Sequence, residues 1–311
     1  PQLSEQGQPI EGLAYIFSSS KSIAMKRYTL LSLALAAVSL YSCQKDFGPS
    51  PDSKAILAPS QQKSTQADKM NTFYGPQVPM GNGQVRSWVT INHEGQPAEL
   101  GLEMTAAALQ GLPAVLHDHA EGEFVLLLHN KAKASTTFDH IGLNWNPGGH
   151  PPPGIYTVPH FDVHFYTMPL AERMMIPAYG DDPSGFDNWP APGYIPYKLP
   201  PFPPNDPARP YFNAGGGEAM MGSHWANLHA PEFNGQPFSH TFIYGSYDGK
   251  VTFYEPMITK AFIESKVATQ QNFVPATLFD PDDAWYPTSY NIWHDPAKDR
   301  YYISLGGFTW R

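Results

Sequence analysis

The chain holds 33 prolines and 26 glycines, and most of them fall after residue 71, where they cut it into short runs. Proline fixes φ and cannot donate to a helix or to a central strand, while glycine serves turns that need positive φ. Aromatic residues make up 14% of the chain and charged residues only 15%. A sequence that is turn-rich, aromatic and poor in charge favours many short strands joined by loops. The expected fold is mainly β, either all-β or α+β. It is an antiparallel barrel- or sandwich-like domain with short helices and long proline-rich loops.

Local patterns place several elements. Val85–Ile91 alternates and runs into His93-Glu94-Gly95-Gln96, a strand entering a turn. Thr105 is placed to cap a short helix through Leu109, stopped by Gly111 and Pro113. Glu123–His129, Asp139–Trp145 and Tyr156–Tyr166 read as strands. The strongest hairpin joins Thr241–Ser246 to Val251–Glu255 through Asp248-Gly249, a pair whose residues both tolerate positive φ. Ile258–Lys266 reads as a short helix, and Tyr290–Trp293 with Tyr301–Leu305 as a last hairpin. Residues 177–216 form a long proline, glycine and aromatic stretch, expected to be a lid, a binding loop or an inserted excursion, and a place for oligomer contacts.

The first 70 residues differ in character. From Met25, two basic residues (Lys26 and Arg27) precede an apolar run from Tyr28 to Leu40 and then Leu40-Tyr41-Ser42-Cys43. A basic start, a short apolar core and small residues at the cut describe a secretory signal. The run is about a dozen residues, against the roughly 20 that a spanning helix needs. A cysteine at that point resembles the lipobox of bacterial lipoproteins, which makes Cys43 the expected lipidation site and the membrane the expected partner. The other reading is a core helix. Residues 1–24 are expected to be upstream translation and 25–43 a signal peptide. Residues 44–70, rich in Ser, Gln, Lys and Pro, are expected to be a disordered tether, and 71–311 one domain. Cys43 is the single cysteine, so the domain has no disulfide.

One segment carries most of the chemistry. In Pro159-His160-Phe161-Asp162-Val163-His164-Phe165-Tyr166, strand geometry puts His160, Asp162 and His164 on one face and Phe161, Val163 and Phe165 on the other. Same-face neighbours lie about 7 Å apart along a strand, near enough for side chains to converge on an ion. On a helix the two histidines would be i and i+4, also on one side. A site needs three or four ligands. His224, in Met221-Gly222-Ser223-His224-Trp225, and Glu255 complete the expected set, His160, His164, His224 and Glu255, with Asp162 orienting it. Asp162 and His150 are alternative ligands, and His240 is a weaker one. Such ligands suit a divalent transition metal, zinc among Fe, Mn, Ni and Cu. A hydrogen-bonded polar cluster is the competing reading.

Other chemistries lack their residues. A net charge of -9 and no Lys/Arg cluster in the domain argue against nucleic acid. No Gly-x-Ser-x-Gly, Walker or Gly-x-Gly-x-x-Gly pattern occurs. Glu232, Asp280, Asp282 and Asp283 read as a solvated acidic loop rather than paired catalytic carboxylates. His117-Asp118-His119 reads as an exposed turn rather than a metal site.

The stretches Gly148–Tyr166, Met221–Trp225 and Glu232–Thr259, in that order, resemble the TTHB210-like domain family, a family of unknown function. The likeness extends over Gly81–Pro113 and the final hairpin. It implies a β-rich fold, probable homo-oligomers and an association with extracytoplasmic sigma-factor systems; it brings no reaction. Two functions stay open: an exported, lipid-anchored metal-binding domain, or an oligomeric envelope binding or structural protein linked to envelope stress. A cupin-like enzyme is disfavoured, since the glycine-framed His-x-His motif is missing.

Overall fold

The computed structural model describes residues 69–311 except 117–118, 200–205 and 214; Cys43, the signal and nearly all of the tether lie outside the described residues, as does most of His117-Asp118-His119. The domain is built from two antiparallel sheets. The first runs β1 (Asn71–Tyr74), β3 (Gly83–Ile91), β4 (Pro97–Thr105), β15 (Arg300–Gly306), β14 (Ser289–Asp295) and β12 (Thr269–Asn272), with β2 (Val78–Met80) also on β3. The second runs β5 (Glu123–Leu127), β6 (His140–Asn146), β7 (His160–Tyr166), β11 (Lys250–Thr259), β10 (His240–Tyr247), β9 (Ser223–Asn227) and β8 (Tyr211–Phe212). A small ribbon pairs β13 (Trp285–Tyr286) with β16 (Thr309–Trp310). Neither large sheet closes on itself, so of the two expected forms the chain takes the sandwich.

Alternation explains how the sheets pack. Val85, Val89, Leu100, Leu102, Ile303 and Leu305 from the first sheet join Ile141, Leu143, Phe161, Val163, Phe165 and Tyr244 from the second in one core. Burying such side chains contributes about 1.5–3 kcal/mol each before chain entropy is charged. β10 and β11 meet at Asp248 (φ 47°) and Gly249 (φ 74°), the paired left-handed turn that the Asp-Gly sequence favours.

Element ends differ from the sequence reading for local reasons. Ala106–Leu109 is a 3-10 turn, but the Thr105 hydroxyl accepts from Gln84 N (3.1 Å) rather than capping it. β5 stops at Leu127, because His129 turns to cap α1 (Asn130–Ser135) by accepting from Lys131 N at 3.0 Å. β7 starts at His160, not Tyr156. Ile258 and Thr259 finish β11, and Thr259 caps the shorter α4 (Lys260–Glu264) by accepting from Phe262 N at 3.2 Å. α2 (Leu170–Arg173) and α3 (Ser184–Asp187) are single turns.

Within 177–216 the described residues include α3 and β8, and Phe186, Ile195, Tyr197 and Tyr211 are buried. Tyr197 packs on Trp225 with ring centroids 4.5 Å apart. Much of this stretch is therefore part of the packed domain rather than an excursion from it. Buried aromatic side chains, more than its short β8–β9 pairing, fix the described part of this stretch to the domain.

Candidate metal centre

The second sheet buries both of its faces. On β7, Phe161, Val163 and Phe165 are fully buried in the core, as alternation requires, while His160, Asp162 and His164 on the opposite face are only 0%, 3% and 1% exposed. The neighbouring strand carries a matching pattern. His140, Gly142, Asn144 and Asn146 of β6 stand opposite Tyr166, His164, Asp162 and His160. Tyr156, Phe238 and Met257 cover one end of this polar face, and Met221, Phe253 and Tyr166 the other.

The predicted ligands fall into two groups rather than one. His164, His224 and Glu255 offer ligand atoms within 4.8 Å of one another, and so, separately, do His150, His160 and Asp162. The expected set of four is corrected on this point: His160 groups with Asp162 and His150, not with His164. Register is the reason. The pairs Tyr254–Phe165 and Met257–Asp162 bracket Glu255 and place it opposite His164, one same-face step from Asp162. Asp162 and His150 accordingly stand as ligand candidates themselves.

In the first group every side chain comes from a strand: His164 from β7, His224 from β9 and Glu255 from β11. Glu255 Oε2 lies 3.4 Å from His164 Nε2 and 3.8 Å from His224 Nε2. Four-coordinate zinc with bonds of about 2.0–2.1 Å separates its ligand atoms by about 3.3 Å, so these spacings are of the right order. The Phe253 ring fills the space below, 4.8 Å from His164 and 5.0 Å from His224. Burial first, and then the negative charge of Asp162, push the Glu255 carboxyl well above its usual range. An ion would reverse that preference by favouring the carboxylate. His224 is 29% exposed, which leaves one side of the group open.

The second group is set by β7 and the loop before it. Asp162 Oδ1 is 3.1 Å from His160 Nε2, and Asp162 Oδ2 is 3.3 Å from His150 Nε2. Asn146, the last residue of β6, donates to Asp162 Oδ2 at 2.7 Å. Burial alone would raise the Asp162 carboxyl; His160 and His150 outweigh it and hold the group well below the usual carboxylate range. Burial opposes charge on His150, and Asp162 overcomes it, so that imidazole is shifted upward.

Remaining sequence candidates lie elsewhere. His240 bonds through Nδ1 to Tyr290 OH at 2.7 Å and joins neither group. Glu232 is not a solvated acid: it is 7% exposed, accepts from Tyr156 OH at 3.2 Å, and burial raises its pKa. Asp280, Asp282 and Asp283 are exposed as expected. A cavity of about 900 Å³ opens in another part of the domain, against Thr136, Met168, Tyr194, Tyr247, Tyr254 and Tyr286; none of the six grouped residues lines it.

His140 supplies a pH probe on the same sheet. Burial pushes its pKa down to about 4, more than its contact with Asp139 raises it. The unfolded chain takes up this proton near pH 6.5, so the stability contributed by neutral His140 is present above that pH and lost as pH falls toward 4. The slope is about 1.4 kcal/mol per pH unit, for a total of about 3 kcal/mol. Urea unfolding at pH 7 and pH 4.5 should therefore show a smaller acid loss in His140→Gln than in the parent protein. Equal losses in both would remove His140 as the cause.

Comparison with models of known families, with curated proteins and with solved structures finds no match for this chain.

Proposed function

We propose that this chain is a divalent-transition-metal-binding protein whose main centre is His164, His224 and Glu255. The observation that carries the reading is the convergence of two imidazoles and a buried carboxylate from three different strands at ligand spacing. A site on strands is held more precisely than one on loops. Three protein ligands leave a coordination position for water or a carbonyl oxygen, and a metal there acts as a Lewis acid or lowers the pKa of bound water. A 2-His-1-carboxylate set also suits non-haem Fe(II). The half-exposed His224 is the side from which a small molecule would reach that position.

Zinc titration of the untagged full chain, followed by elemental analysis, tests the centre. Glu255→Gln and His224→Ala should each weaken zinc retention there by at least about 100-fold, beyond the loss typical of groups that only support ligands. Retention unchanged in both variants would refute the assignment.

The proposal includes location. A lipid on Cys43 would tether the domain to the cell envelope through residues 44–70, the arrangement supported by the basic and apolar residues before it. Cys43→Ser should abolish labelling by an alkyne fatty acid and move the protein from the membrane to the soluble fraction. Labelling that persists in this variant would exclude the anchor. The likeness to the TTHB210-like family, and the homo-oligomer it implies, belong to the same proposal.

A further inference from the structure

We infer that His150, His160 and Asp162 form a second, independent site for a divalent transition ion, which clips the loop before β7 onto the sheet. It shares no ligand with the strand-borne centre, so either can fail alone, although the charge of Asp162 acts on Glu255.

The argument begins with the ring nitrogens. His160 Nδ1 lies 2.7 Å from Val158 O, and His150 Nδ1 lies 2.7 Å from Pro151 O. A carbonyl oxygen can only accept, so each Nδ1 carries the hydrogen and each Nε2 is the ring atom turned toward Asp162. Both Nε2 atoms face one carboxylate, at 3.1 and 3.3 Å. Ring nitrogens without a hydrogen, brought this close to a carboxylate, repel it unless something positive lies among them. A ring proton could serve, but His160 Nε2 and Asp162 Oδ1 do not align as a hydrogen bond despite their distance. An ion among the three ligand atoms accounts for an approach this close without alignment.

The surroundings fit an ion there. Imidazoles oriented by backbone carbonyls, and a carboxylate whose other oxygen is held by Asn146 Nδ2, are the supports that metal ligands ordinarily have. Tyr156 flanks His150 and Phe238 flanks His160, with centroids 5.8 and 5.4 Å apart, so apolar walls close the sides. His150 is the one member from the loop and is 34% exposed, which provides the way in. The loop is shaped to deliver it. Gly149 has φ +71°, and a Cβ there would lie 2.0 Å from Tyr156 O, so no other residue fits without movement. The next residue's N–H, that of His150, then donates to Tyr156 O at 3.2 Å.

The centre on three strands needs no ion to hold its frame, whereas here an ion would link a loop to the sheet. Loop accessibility is therefore a readout that the first centre would not move. The experiment loads the untagged full chain with zinc chloride by dialysis. It measures bound zinc and the rate of limited proteolysis within residues 148–158. The parent protein should hold about two equivalents, and His150→Ala and Asp162→Asn about one. Zinc should slow cleavage of the loop in the parent and in His224→Ala, but not in His150→Ala. His150 lies in the loop and is 34% exposed, and circular dichroism checks that its variant keeps the fold. Zinc content and loop protection unchanged in His150→Ala and Asp162→Asn would overturn the site. A single equivalent lost only in His224→Ala would overturn it while sustaining the strand-borne centre. One lost only in His150→Ala would do the reverse.

Discussion

Arg173→Ala should lower the unfolding free energy by about 3–5 kcal/mol, the cost of breaking a buried ion pair from one side. Arg173 is 1% exposed, and its guanidinium is bidentate to Glu123, with Nη1–Oε1 at 2.6 Å and Nη2–Oε2 at 2.9 Å. Glu123 is itself only 12% exposed, so truncation strands a carboxylate with little water to replace its partner. The guanidinium also lies 4.6 Å over the Tyr166 ring, which loses that contact as well. Domains are stable by about 5–15 kcal/mol, so the loss is a large share of the total. The double variant Arg173→Met/Glu123→Leu should recover most of it, because no charge is then left buried. Denaturant midpoints of the three proteins decide the matter. A single variant within 1 kcal/mol of the parent would show that water reaches the pair.

Gly245→Ala should be nearly as damaging, and for a steric reason. Gly245 of β10 pairs with Phe253 on one side and His224 on the other. A Cβ at 245 would stand 2.1 Å from the Phe253 ring, which is fully buried and bounded by His164, His224 and Tyr166. A displaced ring would press on Tyr166 and the two histidines. Overpacking of this kind costs about 1–3 kcal/mol, and the upper end applies where the displaced ring has no free side. Zinc retention at the strand-borne centre should fall with stability, while loop protection by zinc at residues 148–158 persists. If thermal unfolding and zinc content both match the parent, the ring has room that the packing does not show.

Much of this could be read from the residues. The alternation in 160–166 separated core from polar face correctly, and Asp248-Gly249 located the central hairpin. The same signal was present in β6 and passed over. His140, Gly142, Asn144 and Asn146 alternate with Ile141, Leu143 and Trp145, marking β6 as a partner with the same two faces. Grouping of the ligands was not legible, because it depends on register and on which strands are neighbours. β7 lies beside β11, far along the chain, and nothing local to 160–166 announces that Glu255 will stand opposite His164. β9 escaped notice because five residues with a histidine, an alanine and an asparagine have too little pattern to stand out. β12, Thr-Gln-Gln-Asn, is an exposed edge whose polar residues carry no burial signal. The burial of Glu232 is not legible in sequence, because its hydrogen-bond partners Tyr156 and Thr241 are residues that no sequence window joins to it.

The two histidine groups also differ in how far apart their members lie along the chain. His150, His160 and Asp162 sit within a single β6–β7 hairpin, so only a short loop must close before they meet. His164, His224 and Glu255 come together only when β7, β9 and β11 have all docked. Loop-closure entropy rises with the length of chain enclosed, and contacts distant in sequence form late. A nascent or partly folded chain can thus bring the nearer group together while the farther one does not yet exist. During biogenesis the first would require only that hairpin, and the second the pairing of strands from β7 through β11 and β10 to β9.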